Sequence, residues 1–237
     1  MSDRTSDEQA KIYEERADDY DALIAAEDAD GELRAAFAER VAFEGARVAD
    51  VGAGTGRVAR WMAPTAAHVH LVERAAPMLD VARLRLEADG QLDRVSFHHA
   101  DARELPLDDA SVDVATAGWV FGHFRHWMPE GWRAEVDQAV GEMRRVVVPG
   151  GRIAILETLG TGHETPRQHP GLDEYFAHLE TRHGFTRTWH RSDYAFASVD
   201  EAARVMGGFF GEALVAQIRD RAWARVPECT ALFCAER

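Results

Sequence analysis

Apolar residues keep two alternating rhythms along the first two-thirds of this chain. Short extended runs fall at 47–51, His68-Val69-His70-Leu71-Val72-Glu73, Val95-Ser96-Phe97-His98-His99, Val112 to Trp119 and Arg152-Ile153-Ala154-Ile155-Leu156-Glu157. Their length and β-branched content suit strands. Between them apolar residues return every third or fourth position, as a helix face requires: Leu33, Phe37, Val41; then Met78, Leu79, Ala82, Leu86; then Trp132, Val136, Ala139, Met143, Val146. Tyr13, Ala17, Tyr20 and Ile24 predict an N-terminal helix that ends near the acidic loop Glu27-Asp28-Ala29-Asp30-Gly31. Pro149-Gly150-Gly151 reads as a turn that ends the long helix and feeds the fifth strand. Strands alternating with helices predict a parallel sheet covered on both faces.

The rhythm changes after Glu157. Residues 158–171 form a polar stretch long enough to suggest a lid or binding loop. Leu172, Tyr175, Phe176 and Leu179 mark a short helix, and Thr186 to Phe196 a strand. Ser198-Val199-Asp200-Glu201 fits a capping box opening another helix. The chain finishes on the apolar run 228–234. No repeat or low-complexity linker divides it, so residues 1–237 read as one domain, with a helical cap over 1–45 and an insertion over 158–185.

Composition narrows the class. With 46% hydrophobic and 29% charged residues the chain suits a soluble globular protein. Residues 1–9 are polar, and no run approaches the ~18 apolar residues of a membrane span. Cys229 and Cys234 sit five apart on an apparent strand and face opposite sides, so no disulfide joins them. A cytoplasmic location is the default expectation. The formal net charge is −14, and every basic residue except Lys11 is arginine. Such a balance disfavours nucleic acid as substrate.

The chemistry concentrates at Val48-Ala49-Asp50-Val51-Gly52-Ala53-Gly54-Thr55-Gly56-Arg57: an apolar strand, an acid, three alternate glycines, then a helix carrying Val58, Ala59, Trp61 and Met62. Glycines permit a tight turn and close approach of a ligand, and the helix directs its positive end at it. A nucleotide-like cofactor is expected. Glu73, 21 residues after Gly52, also suits a dinucleotide-binding dehydrogenase. The spacing separates the two readings: a dinucleotide fingerprint wants glycine at 52, 54 and 57, and residue 57 is arginine.

Taken with Glu73 and Met78-Leu79, with Asp101-Ala102 after the third strand, and with Glu142-Met143-Arg144-Arg145-Val146 running into Pro149-Gly150-Gly151, this turn resembles the class I S-adenosylmethionine-dependent methyltransferases. The likeness covers roughly residues 13–157 and is greatest to small-molecule enzymes similar to quinone-biosynthesis methyltransferases. It implies a doubly wound, seven-stranded, mostly parallel Rossmann-like α/β sheet with an antiparallel C-terminal strand, an N-terminal helical cap and an acceptor-side insertion. It also implies site roles. Gly52, Gly54, Thr55 and Gly56 would hold the methionine part of S-adenosylmethionine, with Asp50 ordering the turn. Glu73 would accept both ribose hydroxyls, and Asp101 and the Ala102 N–H would meet adenine, flanked by Arg74 and Met78. Trp119 would line the pocket near the sulfonium, and Tyr20 would close over it. The chain lacks an Asn-Pro-Pro-Tyr-like motif of methyltransferases that act on nucleic-acid bases, so a small-molecule acceptor is expected, with neither nucleic acid nor membrane as partner.

Methyl transfer from a sulfonium is an in-line displacement that needs chiefly placement and exclusion of water. A base helps with a hydroxyl or protonated amine. His123, after the fourth strand, and Glu157, ending the fifth, are the catalytic candidates, because ligands collect at the carboxyl ends of such strands. His163 in the insertion is a weaker one. Trp119, Trp127, Trp132 and Trp189 could furnish an aromatic acceptor pocket or pack in the core. No metal is expected: His68 and His70 share a strand face and His98 and His99 are adjacent, but none has ligand spacing with cysteine or carboxylate. The alternative is a sensor or scaffold that binds S-adenosylmethionine without catalysis.

Overall fold

The computed structural model describes residues 17–237. Tyr13 lies outside the described residues. The chain divides into two compact units, one of residues 37–157, 169–188 and 232–237, the other of described residues 17–36, 158–168 and 189–231.

Most of the seven-stranded sheet belongs to the larger unit. Its strands are β1 (Arg47–Val51), β2 (His68–Glu73), β3 (Val95–His99), β4 (Val112–Gly118), β5 (Val147–Thr161), β6 (Thr186–Arg191) and β9 (Glu228–Glu236), in the order β3-β2-β1-β4-β5-β9-β6. The pairs β3–β2, β2–β1, β1–β4 and β4–β5 are parallel. The last strands are antiparallel: Gly150 N–H donates to Arg237 O, and Arg237 N–H to Gly151 O. Thr186 and Thr188 hydroxyls likewise reach the carbonyls of Cys234 and Leu232. Val48, Val69, Leu71, Val114, Ile153 and Ile155 are buried, as strands with helices on both faces require.

The helices follow their apolar stripes. In α2 (Glu32–Val41) Phe37 and Val41 are buried. α3 (Arg57–Met62) buries Val58, Ala59 and Met62; α4 (Ala76–Ala88) buries Met78, Leu79, Ala82 and Leu86. After the short α5 (Gly122–Trp127), α6 (Trp132–Val146) buries the five expected residues and Val140. α7 (Pro170–His183) buries Leu172, Tyr175, Phe176 and Leu179 over 14 residues, and Gly184 closes it at φ +71°.

In the smaller unit, α1 (Ala17–Ala26), β7 (Tyr194–Ala195), α8 (Val199–Phe210), α9 (Glu212–Asp220) and β8 (Arg225–Val226) share a cluster of Leu23, Tyr194, Ala202, Met206, Leu214, Ile218 and Val226. The capping box forms: the Glu201 N–H donates to Ser198 Oγ at 3.1 Å, and Ala197 N–H to Glu201 Oε2 at 2.8 Å. Cys229 and Cys234 are free and buried. No described helix is long and apolar enough to cross a membrane.

Three sequence expectations are corrected. Pro149-Gly150-Gly151 is a bulge inside β5, since pairing with β4 jumps from Val112↔Val147 to Val114↔Arg152. Gly150 has φ +76°, and a Cβ on Gly151 would lie 2.5 Å from the Asp113 carbonyl, so glycine lets the strand continue where a turn was expected. β5 also continues to Thr161, shortening the polar loop. The strand expected over 186–196 breaks at Ser192-Asp193, where Arg191 and Arg225 bond the Asp193 carboxylate.

Candidate functional site

The parallel register places Val51 beside Val72, Glu73 beside His99 and Gly118 beside Leu156. The loops that leave these strands therefore share one edge of the larger unit. All the expected site residues except Tyr20, His163 and Trp189 belong to that unit. Tyr20 lies in α1 of the smaller one, its ring 5.8 Å from that of Phe209.

The glycine turn is built by left-handed backbone. Gly52, Gly54 and Gly56 have φ of +67°, +55° and +83°, where only glycine is at ease. Two of their missing Cβ directions are filled from within: a Cβ on Gly52 would lie 2.5 Å from Val120 Cγ2, and one on Gly56 3.3 Å from Ala82 Cβ. A Cβ on Gly54 would lie 3.5 Å from the methyl end of Met78. Asp50 is buried below the turn and accepts from the Thr116 hydroxyl at 2.9 Å. Burial pushes its carboxyl up to about 7, opposed by the Thr116 hydroxyl and the Ala59 N–H. Asp50 Oδ2 and Thr55 Oγ1 are buried with no protein partner at hydrogen-bonding geometry. Buried polar atoms in that state suit a water or ligand partner.

Glu73 ends β2 with its carboxylate held between two backbone donors, Gly54 N–H to Oε2 at 3.1 Å and Ala75 N–H to Oε1 at 2.8 Å. Each oxygen keeps a lone pair, so an oriented acceptor for two hydroxyls results. Asp101, after β3, is clamped by Arg103, whose Nε and second guanidinium nitrogen reach Oδ1 and Oδ2 at 2.7 Å. That bond holds the carboxyl below its ordinary range, with Arg74 lowering it further. Arg103 is itself anchored on Glu135 at 2.6 Å. Ala102 is half-buried in the same turn.

Trp119 has left-handed backbone at φ +57°, its N–H donates to Leu156 O at 2.7 Å, and the Arg57 guanidinium sits 3.5 Å over its ring. Arg74 lies over Trp127 at 5.4 Å, and Trp127 stacks on His123 with ring centres 4.9 Å apart. Burial, then the charges of His126 and Arg74, lower His123 to about 4, and its buried Nδ1 has no described partner. Glu157 is 4% exposed. Its Oε1 accepts from Gly122 N–H and from the Tyr175 hydroxyl, both at 3.0 Å, while burial raises it to about 7. Trp132 packs in the core, and Trp189 is 47% exposed on the smaller unit.

Four neighbours of the expected residues were given no site role from sequence. Arg57 stacks on Trp119, Arg103 clamps Asp101, Val120 fills the space at Gly52, and Tyr175 bonds Glu157. Only Tyr175 left a signal, a hydroxyl inside an apolar helical stripe.

A methyltransferase domain model matches residues 49–155, the stretch from β1 through β5 that carries this edge. That stretch is similar to methyltransferase domains, the kind of domain the class I resemblance implies. A demethylmenaquinone methyltransferase of Clavibacter sepedonicus is 41% identical over 115 residues, 48% of this chain and 41% of that protein. A ubiquinone/menaquinone biosynthesis C-methyltransferase, UbiE, of Brucella anthropi is 31% identical over 150 residues, covering 62% and 53%. The chain thus spans about half the length of these curated relatives. Among solved structures, the [4+2]-cyclase SpnF superposes with a TM-score of 0.57 at 23% identity, covering 86% of this chain and 80% of that one. Phosphoethanolamine N-methyltransferase 2 of Haemonchus contortus, solved with phosphomonomethylethanolamine and S-adenosylhomocysteine, gives 0.55 at 20%, covering 86% and 52%. At these identities the structural likeness is one of fold. The family's cofactor is S-adenosylmethionine, and the fully buried Asp50 with the oriented Glu73 suits its amino-acid and ribose ends.

Proposed function

We propose that this chain transfers the methyl group of S-adenosylmethionine to a small-molecule acceptor. The observation that carries the reading is the Glu73 carboxylate, fixed by Gly54 and Ala75 at the end of β2 with lone pairs left for a diol. Bound there, S-adenosylmethionine supplies a methyl group already activated on sulfur. The chain's own tasks are then to grip, orient and keep out water. Glu73 accepts the ribose hydroxyls, and Asp101 offers its remaining lone pairs to an exocyclic amine without leaving Arg103. Trp119, stiffened by Arg57, and Trp127 supply apolar walls. His123, lowered to about 4, is neutral at pH 7 and a weak base. Glu157, raised to about 7, is better matched for holding a proton near neutrality.

Calorimetry with S-adenosylhomocysteine tests the grip. Loss of two charge-assisted hydrogen bonds in Glu73→Ala should weaken binding by about 2–4 kcal/mol, roughly 30- to 1,000-fold. Unchanged affinity would refute the placement. Transfer is read with methyl-labelled cofactor and a panel headed by hydroxylated quinols, chosen because the relatives named above are quinone-biosynthesis enzymes. Tight binding with no transfer to any member would favour the sensor or scaffold reading.

A further inference from the structure

A second polar cluster lies in the larger unit, outside the set at the glycine turn. Asp137 on α6 faces His178 and His183 near the end of α7. Both imidazole Nε2 atoms lie 2.7 Å from the same carboxylate oxygen, Asp137 Oδ1. The three candidate ligand atoms all lie within 4.8 Å of one another. The two histidine side chains are 14% and 10% exposed, and Asp137 is 37% exposed, so the cluster is sheltered on the imidazole side and open on the carboxylate side. The edge of Trp132 stands against His178 with ring centres 5.4 Å apart, and Arg144 donates to the His183 carbonyl at 2.6 Å. The ring and the helix end are thus held in place by neighbours that take no part in the cluster.

We propose that Asp137, His178 and His183 bind a divalent transition-metal ion of the zinc type, which pins α7 to α6. Two imidazole nitrogens and a carboxylate oxygen are a ligand set such ions accept, with bond lengths of about 2.0–2.2 Å. Tetrahedral ligands at that range stand about 3.3 Å apart, so the present 2.7 Å contacts need open by only about 0.6 Å. Each imidazole binds through Nε2 after moving its proton to Nδ1. A water on the open side of Asp137 completes the shell. Arg182, 3.9 Å from Asp137 Oδ2, is the cation an incoming metal displaces or accommodates. The consequence reaches the candidate site, because His178 follows Tyr175 by three residues on α7 and Tyr175 bonds Glu157. An ion here would fix the helix that fixes Glu157.

A second histidine cluster, on β2 and β3, serves as the control. His68 Nε2, His70 Nδ1 and His98 Nε2 lie 3.0, 2.8 and 3.2 Å from Ser96 Oγ, which bonds all three. The test uses the full chain without a histidine tag, stripped by chelator and titrated with cobalt(II), reading visible absorption, and then with zinc in competition. One equivalent should bind, weakened about tenfold or more by His183→Gln and by Asp137→Asn but not by His70→Gln. Affinity for S-adenosylhomocysteine and circular dichroism report whether each variant is folded. X-ray absorption on the zinc-loaded wild type reads the shell independently of any variant. Two imidazoles with oxygen ligands support the assignment. No stoichiometric binding, loss confined to His70→Gln, or a three-imidazole shell would overturn it.

Discussion

The carboxyl group of Glu157 offers the sharpest test of how burial tunes this fold. It is almost wholly out of water, and its folded pKa lies near 7 against an ordinary 4.5. A raised carboxyl pKa means that the folded state binds the proton more tightly than the unfolded chain. The stabilisation is therefore present below the unfolded value and is lost as pH rises through the folded one. A separation of about 2.5 units corresponds to about 3 kcal/mol at most. Glu157→Gln keeps a neutral carbonyl acceptor for the Gly122 N–H and the Tyr175 hydroxyl and cannot ionise. Relative to wild type, the variant should thus gain about 2–3 kcal/mol between about pH 5 and about pH 8.5. Asp50 titrates in the same interval and the same direction. It cancels from the difference, since its charged neighbour is Glu73, which both proteins keep. Urea unfolding followed by tryptophan fluorescence at a series of pH values measures the effect. A wild-type-minus-variant difference flat to within about 0.5 kcal/mol across that range would refute the reasoning.

Gly52→Ala must place a Cβ 2.5 Å from Val120 Cγ2 at φ +67°, so it should cost about 2–4 kcal/mol by thermal or urea unfolding, with Val120→Ala recovering the packing part alone. Full recovery would show that backbone strain contributes nothing. In the smaller unit, Ser198→Ala removes the Oγ acceptor of the Glu201 N–H and should lower stability by about 1 kcal/mol, with Ser198→Asp restoring it.

Much of this architecture was legible because its determinants are local. A buried parallel strand needs an apolar run, a helix needs a stripe, and a left-handed turn needs glycine; 47–56, Met78 to Leu86 and Trp132 to Val146 supply all three. The capping box at Ser198 was readable for the same reason. What escaped depends on partners far apart in sequence. The clamp on Asp101 is two residues away, but its anchor Glu135 is 32 residues from Arg103. Val120 reaches Gly52 only because β4 lies beside β1. Tyr175 lies 18 residues beyond Glu157. α9 was missed because a nine-residue helix beginning just after Gly211 offers little periodicity to read. His123 follows β4 as expected, Glu157 lies inside β5 where the end of the strand was expected, and the protonation behaviour of both comes first from burial, which no local pattern encodes.

The bulge at Pro149-Gly150-Gly151 sets the phase of everything downstream of it in β5. Between paired positions, β4 advances two residues while β5 advances five, from Val147 to Arg152. Side chains alternate faces along a strand, so an odd change in that count swaps the two faces of the remainder. A single-residue deletion among 148–151 would leave composition, charge and the apolar run intact. It would nonetheless carry Glu157 away from Gly122 and turn Leu156 or Thr158 toward the space it now fills. The length of this small segment is therefore as much a part of the site as any side chain in it, and insertions or deletions there should be tolerated only in pairs.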